Sequence, residues 1–173
     1  MKLLKSDENA DAIKQLFLDA QKSIVIISPY IDIKNLEEMK KILVEKSERG
    51  IFIEVHSRKN RKEKTHTTVE EVEEEFKDIN LNKRIYLHMD LHAKLFFNEK
   101  NAIITTFNLQ STSLGNIEIG YLLEDRDRKE FDKLLNDFYY KLFNEDNEQI
   151  IKHKEMFMSK KNVWRWFRKR NNT

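Results

Sequence analysis

Apolar residues along the chain alternate between helical spacing and short, dense runs. Between residues 7 and 21, Ala10, Ile13, Leu16, Phe17 and Ala20 fall on one stripe, which predicts a helix with one buried face. Residues 23–28 form a β-branched apolar run halted by Pro29, the pattern of a strand buried on both faces. Asn35 is placed to cap a second helix reaching Ser47, with Leu36, Met39, Ile42 and Leu43 inward and Gly50 just past its end. Residues 51–56 read as a second strand. An acidic helix starts at Thr67 or Thr68 and runs to about Lys77. Short strands follow at 84–88, 93–97, 102–106 and 117–123. A further helix spans about 126–143, with Phe131, Leu134, Leu135, Phe138 and Leu142 on one stripe, and helix continues to Met158.

A strand–helix–strand opening followed by several packed strands predicts an α/β fold: a mixed, mostly buried β-sheet flanked by helices on both faces. The 173 residues fit one domain over 1–158 and a basic aromatic tail over 159–173. There are no cysteines, which removes disulfides, thiol catalysis and cysteine-based zinc sites. The three glycines, Gly50, Gly115 and Gly120, assemble neither a P-loop nor a dinucleotide fingerprint. No apolar run approaches a membrane span, and the first residues turn acidic too soon for a signal peptide, so a cytoplasmic protein is expected.

Net charge is only +2, but it is unevenly spread. Residues 58–64 hold five basic groups and one acid, among them Arg58, Lys59 and Arg61. Basic groups at a strand end are placed to meet substrate phosphates, although a solvated surface accounts for such a run equally well. The acidic run at 70–78 reads as the outer face of a helix. The tail interleaves bases with Trp164, Trp166 and Phe167. It suits stacking on unpaired bases, an anionic membrane surface, or a helix end docked on the core; stable membrane anchoring is not expected from so short a segment.

The candidate chemistry lies in His92 and Lys94, then Thr106 and Asn108, then Asn116 and Glu118. Near neutral pH a histidine serves as nucleophile or proton donor, its free pKa being about 6.5. Lysine and amide groups hold phosphate oxygens through charge-assisted hydrogen bonds, and a carboxylate fixes an imidazole's tautomer. On a strand, residues two apart share a face, so His92 and Lys94 are expected to point into one pocket.

His92-x-Lys94, an acid at Glu99, Thr106-x-Asn108 and Asn116-x-Glu118 together resemble the HKD motif of the phospholipase D superfamily. The likeness spans roughly residues 10–124, and the one-motif chain resembles that family's small homodimeric nucleases. It implies His92 as the nucleophile that forms a phosphohistidine, or as general acid, with Lys94 and Asn108 on the non-bridging oxygens. It further implies Glu118 as the orienter of His92, Thr106 as an additional hydroxyl donor, and no cofactor. Two departures stand out. Glu99 replaces the motif's aspartate, a group that supports structure more than chemistry. Thr105 replaces a glycine that often precedes the serine, which predicts a less tight turn. One chain supplies one motif histidine, so a two-fold homodimer is expected to bring a second His92 to a composite site.

His56 closes the second strand and reads as a partly exposed strand end rather than a catalytic group. His88, Asp90 and His92 would line one face of an extended segment and could bind a metal, but that reading leaves Lys94 and Glu118 unexplained. The expected function is metal-independent phosphodiester hydrolysis of DNA or RNA. Phospholipid cleavage or phosphatidyl transfer, and a catalytically silent nucleic-acid-binding module, are the alternatives.

Overall fold

A computed structural model describes residues 1–59, 69–81 and 84–138. The chain divides into two compact units, Met1–Arg126 and Asp127–Thr173. The first is built on one seven-stranded mixed sheet in the order β1-β7-β6-β5-β2-β3-β4. Its strands are β1 (Lys2–Leu4), β2 (Ser23–Ile27), β3 (Phe52–Arg58), β4 (Ile85–His88), β5 (Leu95–Asn98), β6 (Ala102–Thr105) and β7 (Gly120–Leu123). β2, β3 and β4 run parallel, and the remaining neighbours pair antiparallel. The helices of this unit are α1 (Ser6–Asp19), α2 (Glu37–Glu48) and α3 (Val69–Glu75).

The expected α/β class and mixed sheet are what the chain adopts. All five residues of β2 are buried, as its unbroken apolar run requires of a central strand. One sheet face carries Ile24, Ile26, Ile53, Val55, Phe96 and Ile103. These pack in a single cluster with Ile13, Leu16 and Phe17 of α1, Met39 and Leu43 of α2, and Val72 and Phe76 at α3. Glu70, Glu71, Glu73 and Glu74 stay exposed, so the acidic run is indeed an outer helix face.

Several local expectations are corrected. The segment 2–4 forms β1, whose register with β7 (Leu4 opposite Gly120) ties the N-terminus to the sheet. The N-cap of α2 is Leu36, not Asn35; Asn35 ends a short 3₁₀ turn and donates its amide to Asp32. The strands expected at 93–97 and 117–123 begin later, at Leu95 and Gly120, leaving the motif residues ahead of them outside regular strand. Gly50 behaves as expected: at φ +76° it closes α2, with its N–H on the Ser47 carbonyl and that of Ile51 on Lys46.

The second unit contributes α4 (Arg128–Asp137), where Phe131 and Leu135 are buried at i, i+4 spacing. The predicted continuation to 143 and 158, the boundary at 158, the aromatic tail and Thr67 and Thr68 lie outside the described residues.

Gly120 sits where backbone passes close to a buried polar pair. A Cβ there would fall inside contact distance of Asn9 Oδ1 and stand 3.2 Å from both Cβ and Oγ1 of Thr105. Asn9 is fully buried and hydrogen-bonded at both ends, so it has no free direction in which to retreat. Gly120→Ala is therefore expected to cost about 1–3 kcal/mol in urea unfolding, the usual range for overpacking. An unchanged unfolding midpoint would refute the account.

Candidate active site

The strand registers bring the C-terminal ends of β2, β3, β4 and β6 and the starts of β5 and β7 to one edge. Ile27 pairs with Leu95, Leu95 with Ile104, and Thr105 with Gly120. The six motif residues lie on short segments just beyond that edge. His92 and Lys94 precede β5, Thr106 and Asn108 follow β6, and Asn116 and Glu118 precede β7.

His92 is exposed, and among the described residues its imidazole makes no hydrogen bond; its carbonyl accepts Lys94 Nζ at 3.1 Å. The Lys94 carbonyl accepts the Thr105 N–H at 3.1 Å, which registers the histidine segment against the end of β6. Thr106 is exposed and donates a short hydrogen bond to Glu118 Oε2, while its oxygen accepts the Ile119 N–H at 3.0 Å. Glu118 is buried. Ser6, in the first turn of α1, both accepts its N–H and donates to its carbonyl, each at 2.9 Å. In a single chain, then, the Glu118 carboxylate receives Thr106 rather than an imidazole N–H.

Asn108 is half-buried, and its Oδ1 is buried without a partner among the described residues. Its N–H donates to Ser113 Oγ at 3.3 Å. The next residue is pinned from two sides: Leu109 N–H donates to Ser28 Oγ at 3.1 Å, and its carbonyl accepts Asp32 N–H at 2.8 Å. Asn116 is exposed beside Ser113, whose carbonyl accepts its N–H at 3.3 Å.

The two motif departures have clear structural roles. Glu99 accepts the backbone N–H groups of Gln21, Lys22 and Ser23 at 3.0, 3.2 and 3.3 Å, holding the entry to β2. Thr105 does not loosen its turn. Its hydroxyl accepts the Phe107 N–H at 3.0 Å and faces Asn9 Oδ1 at 2.7 Å and the Ile119 carbonyl at 3.0 Å.

Arg58 ends β3, half-buried, with its Nε lacking a partner among the described residues, and Lys59 is exposed beside it. They lie on the same edge, but two strand spacings from β5, about 10 Å. Arg61 falls outside the described residues. The metal reading needed extended backbone from His88 to His92; instead β4 ends at His88 and the chain turns at Met89 and Asp90.

His56 is the clearest correction. It is completely buried, not a partly exposed strand end. Its Nε2 lies 2.7 Å from Glu54 Oε1, also fully buried, and its Nδ1 lies 2.8 Å from His88 Nε2. Tyr86 stacks on the His56 ring with centroids 5.0 Å apart. This chain was missed from sequence, although the polar pair Glu54 and His56, two apart in an otherwise apolar strand, was its signal. Burial, reinforced by the neighbouring His56, pushes the His88 imidazole down to about 4.

A mixed sheet whose one edge collects a histidine, a lysine, two amides and a carboxylate from consecutive strand ends defines a phospholipase D-like domain. The family model described as "Cardiolipin synthase, PLD-like domain" matches residues 13–142, and the chain belongs to that family. Among solved structures it is similar to NucT from Helicobacter pylori, with a TM-score of 0.56 and 13% identity over 82% of this chain and 93% of that one. It is also similar to the phospholipase D family member Nuc from Salmonella typhimurium, with a TM-score of 0.52 and 16% identity over 80% and 92% of the two chains. At these identities the likeness is one of fold. No curated protein matches the sequence. No helix among the described residues is long and apolar enough to cross a membrane.

The depressed His88 value makes a pH prediction. An unfolded chain protonates this histidine near its ordinary 6.5, whereas the folded protein resists until about 4. As pH falls through that window the unfolded state binds the extra proton first, so stability is lost; above 6.5 this group contributes no pH dependence. Urea midpoints between pH 7.5 and 4.5 are expected to fall less steeply for His88→Gln than for the wild type. Equal slopes would refute the assignment.

Proposed function

We propose that the chain is a metal-independent phosphodiesterase that hydrolyses nucleic acid, with cytoplasmic DNA or RNA as substrate, through a phosphohistidine formed on His92. The observation that carries this reading is the convergence of His92, Lys94, Thr106, Asn108 and Glu118 on one sheet edge from three successive strand ends. An exposed imidazole with no hydrogen bond among the described residues keeps a ring nitrogen available for attack at phosphorus. In this reading Lys94 and the Asn108 side chain hold non-bridging oxygens as charge develops on them, with Thr106 and Asn116 as further donors. Arg58 and Lys59, about 10 Å along the same edge, suit a neighbouring phosphate of a polymer better than any part of a small diester. Arg61 completes that basic segment in sequence.

Attack by His92 forms the P–N bond and expels the leaving oxygen, which needs a proton. In this reading a homodimer supplies it from a second His92 across the two-fold axis. Water then breaks the P–N bond.

His92→Ala is expected to lower kcat on nucleic acid and on a chromogenic phosphodiester by at least roughly a thousand-fold, as for loss of a covalent nucleophile. Because the ring is exposed and makes no hydrogen bond among the described residues, unfolding free energy is expected to stay within about 0.5 kcal/mol. Wild-type activity is expected to survive EDTA. Retained activity in the variant, or complete loss in chelator, would overturn the reading. Random mixing of equal amounts of wild-type and variant chains tests the composite centre: about a quarter of the activity remains if both imidazoles serve one centre, about half if each chain acts alone.

A further inference from the structure

We infer that the pocket beside Tyr30 is a subsite for one unpaired base of the substrate, which makes single-stranded nucleic acid the preferred substrate. The inference rests on the nuclease reading above and names its substrate class.

The pocket lies where three strands end on the candidate edge. Its lining includes Tyr30 past the end of β2, Ser57 near the end of β3 and Gln110 past β6. Its volume is about 240 Å³. A cleft for a whole drug-sized ligand holds roughly 300–1,000 Å³, so this space suits a single ring system. Two aromatic side chains are markedly exposed among the described residues. Tyr121 sits within the paired strand β7, whereas Tyr30 stands in the bend that borders the pocket, 50% exposed. Among the described residues the Tyr30 ring stacks on no other ring and its hydroxyl has no hydrogen-bond partner.

One hydroxyl fixes Tyr30 relative to Asn108. Ser28 Oγ accepts the Leu109 N–H at 3.1 Å and donates to the Tyr30 carbonyl at 2.7 Å. Ile31 forms a β-bridge with Leu109, whose carbonyl accepts the Asp32 N–H at 2.8 Å. Ile27 pairs with Leu95, so Tyr30, three residues beyond, and His92, three residues before, leave the β2–β5 ladder at the same end. A base held at Tyr30 therefore belongs to a nucleotide next to the reacting phosphate. A platform fixed in advance loses little freedom when it binds.

The lining selects a base over a phosphate. Glu71 and Glu75 border the pocket, and carboxylates oppose the entry of a phosphate but accept the exocyclic amino groups of bases. The Gln110 amide offers both a donor and an acceptor, the pattern that base edges present. Pro29, Ile31 and Val72 supply apolar wall. Cations begin immediately outside: Arg58 and Lys59 follow Ser57 in the chain and suit the backbone. Base and phosphate are thus received by separate groups, the arrangement of a single-strand binder. In a duplex every base is stacked and paired, so reaching this pocket requires flipping one out against both interactions.

The test changes substrate and protein together. Wild type is expected to cleave a single-stranded oligonucleotide with kcat/KM about ten-fold above the same sequence in a duplex, the size of one base–aromatic stack. Single abasic nucleotides stepped along the strand are expected to lower kcat/KM about ten-fold at one position next to the cut. Tyr30→Ala is expected to cause the same loss on the intact strand, chiefly through KM, and to add nothing at that abasic position, as for two ends of one contact. Tyr30→Trp is expected to restore the rate. General damage to the fold would lower cleavage of the abasic strand further. A strand carrying 2-aminopurine at that position is expected to lose fluorescence on binding the His92→Ala protein, and to keep it when Tyr30→Ala is added. Equal rates on single strand and duplex, abasic positions without effect, losses that multiply, or unquenched fluorescence would overturn the subsite while leaving the phosphodiesterase reading intact. A wild type that cleaves neither polymer nor a chromogenic diester would overturn that reading, and with it this substrate assignment.

Discussion

The candidate site hangs on a single hydroxyl. Its side chains stand on segments just past the strand ends, where the backbone pairing that continues is carried by the Thr105 N–H on Lys94 and the Thr106 N–H on Ile119. Thr105 Oγ1 reinforces it. It meets Asn9 of α1, the Ile119 carbonyl ahead of β7, and the N–H of Phe107 in the turn that carries Asn108. One atom thus sets the spacing between Thr106, Asn108 and Glu118. The arrangement tolerates no side chain at Gly120, and it needs Asn9 buried on an otherwise apolar helix face, since a hydroxyl in the core must keep its partners.

The same device recurs around the site. Ser6 brackets both backbone groups of Glu118, Ser28 holds Leu109, and Ser113 holds Asn108. Each is a short side chain exchanging hydrogen bonds with loop backbone, which gives irregular segments a fixed conformation without regular structure. Glu99 does this with a charge at the far end of β5, where three converging N–H groups accommodate the extra methylene of glutamate. An acid that gathers three backbone N–H groups supports the sheet's geometry at a distance from the candidate edge.

The parts of this structure that were legible in the sequence were those set by periodicity. The apolar run at β2, the stripes of α1 and α2, and Gly50 after α2 all follow from local pattern, because burial imposes the same period over many residues. The linked spacing of His92, Lys94, Asn108 and Glu118 places them beside the ends of β5, β6 and β7 for a related reason: strand ends recur at short intervals. What escaped had no period. β1 is three residues long with Leu4 alone buried, so it leaves almost no pattern. Asn35 resembles a cap, yet it prefers Asp32, three residues back, to the helix that follows. Glu54 and His56 are polar residues in a strand that reads as buried, and the partner that completes them, His88, is more than thirty residues away on another strand. Contacts of that kind are made by topology, and no local window contains them.

The histidines divide by how many of their nitrogens the protein occupies. His56 has both engaged, which fixes its tautomer and removes it from chemistry. His92 has neither engaged among the described residues, which leaves it open to attack phosphorus but without an orienting partner. Glu118 lies buried on the same edge, and its bond from Thr106 does not exhaust it. A carboxylate offers about four lone-pair sites on two oxygens, and Thr106 occupies one of them on Oε2. An imidazole N–H can therefore be received without displacing the threonine. Threonine and imidazole would then share one buried charge, and the Ser6 bracket that fixes the backbone of Glu118 would fix the geometry of both.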